Sequence, residues 1–170
     1  NEVFEFPEWA YPPLPHLADG YEEKIKSGRD LASKSNVAIL GLVRNEADIL
    51  PATLLRLESI ASLFNRTTVF ILENDSIDNT KSVLHGWKPT NIDYRLWSEN
   101  LGHPRLLGGK DINRAKGMAS LRNALRNWFL NSGLDVDYVI VADLDLKGGW
   151  SLDGILNSFG WNNWDMISSN

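Results

Sequence analysis

NVAILGLVRNEADILPATLLRLESIASLFNRTTVFILEN, residues 36–74, changes its hydrophobic period twice. Residues 36–43 are almost wholly apolar and include Val37, Ile39 and Val43, as in a strand buried on both faces. Residues 48–64 then carry Leu50, Leu54, Leu57, Ala61 and Phe64 at helical spacing, which predicts an amphipathic helix. Pro51 is compatible with that helix because it falls in the first turn, where a missing amide breaks no helical bond. Residues 67–73, TTVFILE, return to a buried strand. Strand, helix and strand in so short a span predict two parallel strands joined by a helical crossover.

The alternation continues outward. A short helix is expected over 76–87, a strand over 92–97, and a long helix over 113–130 with Met118, Leu121, Leu125, Trp128 and Phe129 on one face. A strand over 138–142 and a helix over 151–159 follow, and WDMISS (164–169) reads as the start of a fifth strand. A loop with Gly102, Pro104, Gly108 and Gly109 separates the third strand from the long helix. At the other end, four of the seven prolines (Pro7, Pro12, Pro13 and Pro15) fall among Phe6, Trp9 and Tyr11. Proline at that density forbids a regular helix or central strand. Residues 1–35 therefore read as an arm with its aromatics on the domain surface and a short helix over 21–32. Residues 36–170 read as one α/β domain, a Rossmann-like, mainly parallel sheet flanked by helices.

The totals narrow the function. The chain has 170 residues, 43% hydrophobic and 23% charged, with a net charge of −5. It is long enough for a proper core, and it lacks the basic excess of a general nucleic-acid binder. No apolar run approaches the ~20 residues of a membrane span. The absence of cysteine rules out disulfides, thiolate metal sites and a cysteine nucleophile. Asn65-Arg66-Thr67 and Asn74-Asp75-Ser76 match the N-glycosylation pattern, a short motif that leaves the compartment open.

In a parallel sheet, ligands gather at the carboxyl ends of the strands. Three polar clusters fall there. After the first strand come Val43, Arg44, Asn45 and Glu46. Glu73 and Asp75 follow the second, and Asp143, Leu144 and Asp145 the fourth. Two carboxylates one residue apart offer oxygens to a hard cation such as Mg²⁺ or Mn²⁺; equally, aspartates cap turns. Asp135 and Asp137 have the same spacing but precede the strand, on the opposite rim, so position rather than spacing favours the second pair. Glu73 or Asp75 could accept hydrogen bonds from a nucleobase or ribose, while Ser76 or Asp78 would cap the next helix. Arg114, Lys116 and Arg122 precede the carboxylates, and an arginine there can clamp a phosphate. His103 lies in the glycine-containing loop, where a general base is conceivable, and Trp150, Trp161 and Trp164 could stack on a sugar or join the core. Neither a Walker phosphate loop nor a G-x-G-x-x-G turn is present, which argues against P-loop NTPases and ordinary dehydrogenases.

LVRNEADILPATLLRL, FILENDSIDNT, ASLRNALRN and VIVADLDL, in that order, resemble the nucleotide-sugar half of GT-A glycosyltransferases, and the first two blocks resemble fungal capsule-associated mannosyltransferases. The resemblance covers about residues 36–170. It implies a sugar transferase whose Asp143 and Asp145 bind Mn²⁺ or Mg²⁺ together with the donor diphosphate. It further implies Arg122 near the diphosphate, Glu73 or Asp75 at the base, and residues 43–46 lining the nucleotide. The expected partners are a nucleoside-diphosphate sugar and a glycan or other hydroxyl acceptor. Such enzymes usually continue into an acceptor-binding half that carries the catalytic base, so no base is assigned. The rival readings are a non-catalytic nucleotide- or glycan-binding module and a sugar-phosphate nucleotidyltransferase. The latter would carry a glycine-rich loop after the first strand, where residues 43–51 contain no glycine.

Overall fold

The computed structural model describes residues 6–102 and 112–168. Four strands, β1 (Asn36–Val43), β2 (Arg66–Asn74), β3 (Asp93–Glu99) and β4 (Tyr138–Asp143), form one sheet in the order β3-β2-β1-β4. Every pairing is parallel, so the expected α/β architecture is the observed one. Among the described residues five α-helices accompany it: α1 (Tyr21–Ala32), α2 (Leu50–Ala61), α3 (Thr80–Gly86), α4 (Ile112–Asn131) and α5 (Leu152–Phe159).

Alternate residues of β1 and β2 feed two cores. Val37, Ile39, Val69 and Ile71 pack with Leu54 and Leu57 of α2, Leu84 of α3 and Leu156 of α5. Ala38, Leu40, Phe70 and Leu72 face Leu121, Leu125 and Phe129 of α4. Buried on both faces, these strands have no room for polar alternation, which is why they read as continuous apolar runs.

The α1–α5 contact is set by two glycines. A Cβ at Gly28 would lie 1.8 Å from the Leu156 carbonyl oxygen, and one at Gly160 would lie 2.1 Å from the Lys24 carbonyl oxygen. The arm is tied to the same place. Glu8 accepts from the Ser151 hydroxyl (2.7 Å) and the Asp153 amide (3.2 Å) at the start of α5, satisfying a donor that the helix itself leaves unpaired. Phe6 and Tyr11 pack ring to ring at 5.3 Å, while Trp9 is 87% exposed.

Three expectations need correction. Residues 164–168 form no strand; Ser169 lies outside the described residues. Trp164 instead folds back, donating to the carbonyls of Ser158 and Trp161 and packing on Tyr138 and Phe159. The helix expected over 76–87 begins only at Thr80, because Ser76 and Asp78 are engaged by the turn after β1. The helix expected over 48–64 is shortened to Leu50–Ala61, and the amides of Leu63 and Phe64 then bond three residues back in a tighter turn.

Candidate functional site

The chain runs outward from β1 to β2 and β3, then returns to place β4 on the other side of β1. The crevice at the carboxyl ends of β1 and β4 is thus the point where the strand order reverses, the usual ligand position in such sheets. Asp143 pairs in register with Leu42, Val43 with Glu73, and Glu73 with Ser98. All three clusters therefore share one rim.

The carboxylate loop after β4 is shaped from below. Leu144 is 1% exposed, and its side chain fills the space left by Gly41: a Cβ there would lie 2.5 Å from Leu144 Cδ1. Burying the central residue leaves Asp143 and Asp145 exposed on either side of it. Arg56 of α2 donates to the carbonyls of Leu146 (3.2 Å) and Lys147 (3.1 Å). Gly149, at φ 81°, lets the loop pass Arg56, whose Nε would stand 2.9 Å from a Cβ. Arg122 of α4 reaches Asp143 at 3.4 Å.

Neither Asp143 nor Asp145 accepts a hydrogen bond from a backbone amide among the described residues; the ion pair with Arg122 is their one polar contact there. A turn cap would show such amide bonds. Two carboxylates from one loop suit a hard cation that keeps sites for water and phosphate oxygens. Among the described residues no group of three or more acidic or histidine side chains stands together as a metal cage.

The other two clusters are knitted together. In the turn after β1, the amide of Asn45 donates to Ser76 Oγ (3.0 Å), that of Glu46 to Thr80 Oγ1 (2.8 Å) and that of Ala47 to an Asp78 carboxylate oxygen (3.1 Å). Asn45 Oδ1 accepts the Ile77 amide (2.8 Å) in return. Both Asn45 (φ 58°) and Asp75 (φ 55°) sit in the left-handed region, where short polar side chains are the tolerated non-glycine residues. Asp75 accepts from the Gly102 amide (2.8 Å) and from Asn74 Nδ2 (2.9 Å).

Glu73 is fully buried, and its two oxygens are taken by the Ser76 amide and the Ser98 hydroxyl. Its position makes it a brace between the loops rather than a group facing the rim. Glu73→Gln replaces an oxygen acceptor by an amide donor and strands one of those partners. The expected loss is about 1–3 kcal/mol of unfolding free energy, read by urea denaturation.

Partial burial pushes the Asp78 carboxyl up, but the side chain and amide of Thr80 and the amide of Ala47 outweigh it and hold the group below its ordinary value. A depressed folded pKa means that ionised Asp78 adds stability above the unfolded value of about 4. That contribution disappears as the pH falls through the lower folded value. Asp78→Asn is expected to flatten the acid limb of a stability-against-pH curve measured by denaturant titration.

Of the expected site residues, Arg122 and Asp143 come together, Asp145 lies exposed two residues further along the same loop, and Asn45 and Asp75 are joined through the loop network. Val43 and Leu144 are buried and contribute only main chain to the rim. Arg44 and Glu46 are half-buried at the turn after β1. Trp150 packs on the core and Trp164 on Tyr138, whereas Trp161 is 46% exposed beneath the Lys24 ammonium. Asn74 is 3% exposed, so the second glycosylation pattern offers no accessible amide in this fold. His103, Pro104, Gly108 and Gly109 lie outside the described residues. Arg56, Gly41 and Ser98 went unnoticed in the sequence. A glycine inside a buried strand was the available signal for Gly41.

No protein-family model matches the chain, and no solved structure matches it significantly. No described helix is long and apolar enough to cross a membrane.

Proposed function

We propose that this domain binds a nucleoside-diphosphate sugar with Mn²⁺ or Mg²⁺ and transfers the sugar to a hydroxyl acceptor. The observation that carries the reading is the exposed pair Asp143 and Asp145, with no backbone amide bond among the described residues, beside Arg122 at the strand-order reversal. Asp143 and Asp145 would hold the divalent cation, which when bound would neutralise charge on the diphosphate leaving group. Arg122 offers planar donors to the same phosphate oxygens, and Leu144 and Arg56 keep the carboxylates oriented towards them. Asp75, at the rim between β2 and β3, accepts from the N–H or O–H groups of the nucleoside. Glu73 supports that loop from beneath. Acceptor and donor held side by side make the displacement effectively intramolecular.

Calorimetric titration of UDP- and GDP-sugars, with Mn²⁺ and then with chelator, tests this. Binding that requires the metal and one of the two bases is the expected result. Equal binding in chelator, or none to either donor, would overturn the reading.

A further inference from the structure

On the α4 side of the sheet, β4 departs from the rest of the core. Val139 and Val141 point to that face and are 45% and 68% exposed, although their counterparts Leu40, Phe70 and Leu72 on the inner strands are covered by α4. The result is a groove of about 420 Å³ between α4 and β4, floored by Leu40, Leu125, Phe129, Val139 and Val141. That volume is within the ~300–1,000 Å³ of small-molecule sites, and the apolar lining is also typical of them. Asp143 follows Val139 and Val141 on the same face of the strand, and it lines the groove with Arg122 and Arg126. One end of the groove therefore opens beside the candidate site, while the other runs towards Leu130 at the amino end of the sheet.

Charge determines what fits. In a chain of net charge −5, α4 carries Arg114, Lys116, Arg122 and Arg126 and no acid in twenty residues. Two of those arginines stand over the groove against the single carboxylate of Asp143. An uncharged strand or helix laid there would desolvate Arg126, which has no ion pair among the described residues, at several kcal/mol. An occupant with an apolar chain and an anionic head satisfies both surfaces.

We infer that the groove binds a single hydrocarbon chain ending in a phosphate. The tail lies along Val139 and Val141, and the head meets Arg122 and Arg126 at the rim. That the groove opens beside a donor site rests on the reading above; the binding of such a ligand does not.

The test uses the whole chain and octyl, decyl and dodecyl phosphate, each below its micelle concentration and without metal. Calorimetry is expected to show about fourfold tighter binding for each added methylene until the groove is filled. Dodecanol should bind at least tenfold more weakly than dodecyl phosphate. Arg126→Gln should weaken the phosphate and spare the alcohol, and Val141→Asp should weaken both; Val141 is exposed, so that variant keeps the fold, checked by its melting temperature. Affinity independent of chain length, or equal for phosphate and alcohol, would overturn the proposal. So would binding only to phosphatidic acid vesicles, which identifies a membrane surface. A ligand-free dimer that Val141→Asp converts to monomer would give the groove to a second copy and overturn it equally. Loss of nucleotide-sugar binding with alkyl phosphate binding intact would fail the donor reading alone.

Discussion

Gly28→Ala is expected to destabilise the domain by about 3 kcal/mol, the upper end of the cost of overpacking a close contact. The added methyl would lie 1.8 Å from the Leu156 carbonyl oxygen and 2.8 Å from the Gly160 amide nitrogen. Both are main-chain atoms, so no side chain can turn aside, and α1 must move off α5. That movement disturbs more than one helix pair. Ile25 and Ala32 of α1 and Leu156 and Phe159 of α5 belong to the same buried cluster as Val37 and Ile39 of β1. The Glu8 cap on α5 is carried along as well. Gly86→Ala is the control, since a Cβ there meets nothing within 4 Å. Urea denaturation should separate the two glycines clearly; similar midpoints would mean that the helix pair relaxes without cost.

The sheet was legible because its strands are buried on both faces, and continuous apolar runs such as VAIL and VFIL have few other readings. Helix α1 was recognised with its observed bounds, and Pro51 marked the first turn of α2. The failures are long-range. Residues 164–168 have the composition of a strand, but Trp164 finds its partners in α5 and Tyr138, a preference that no local pattern records. The sequence left Glu73 and Asp75 open between a nucleoside contact and a cap, and burial of Glu73 is not visible in it. Its neighbour Ser98 on β3, twenty-five residues later, takes one oxygen, and Ser76 takes the other. No local pattern marks Arg56 for a role in the carboxylate loop. Its partners are main-chain carbonyls ninety residues away, invisible to periodicity. What was legible of the candidate site is the part that needs only strand ends and spacing: the shared rim of Asp143, Asp145 and Arg122.

Asp143→Asn and Asp145→Asn should each weaken metal-dependent nucleotide binding about a hundredfold or more, exceeding the losses usually seen for groups that merely support metal ligands. Stability is expected to stay within about 0.5 kcal/mol, as for other surface substitutions. The contrast between those two readouts discriminates the roles. A carboxylate that caps a turn contributes through bonds to amides, and its loss appears as about 1 kcal/mol of stability with binding intact. Among the described residues those amide bonds are missing, and Leu144, buried between the pair, together with Arg56 shapes the turn instead. Asp143→Asn also releases Arg122 from its 3.4 Å ion pair. That pair is exposed and worth little to the fold, but its loss leaves the guanidinium to bind phosphate without the competing carboxylate. The two variants should therefore differ in the presence of chelator: Asp143→Asn retains more residual nucleotide binding than Asp145→Asn, which keeps the ion pair. Equal residual binding would show that Arg122 does not touch the diphosphate, and unchanged binding in both variants would remove the carboxylates from the site.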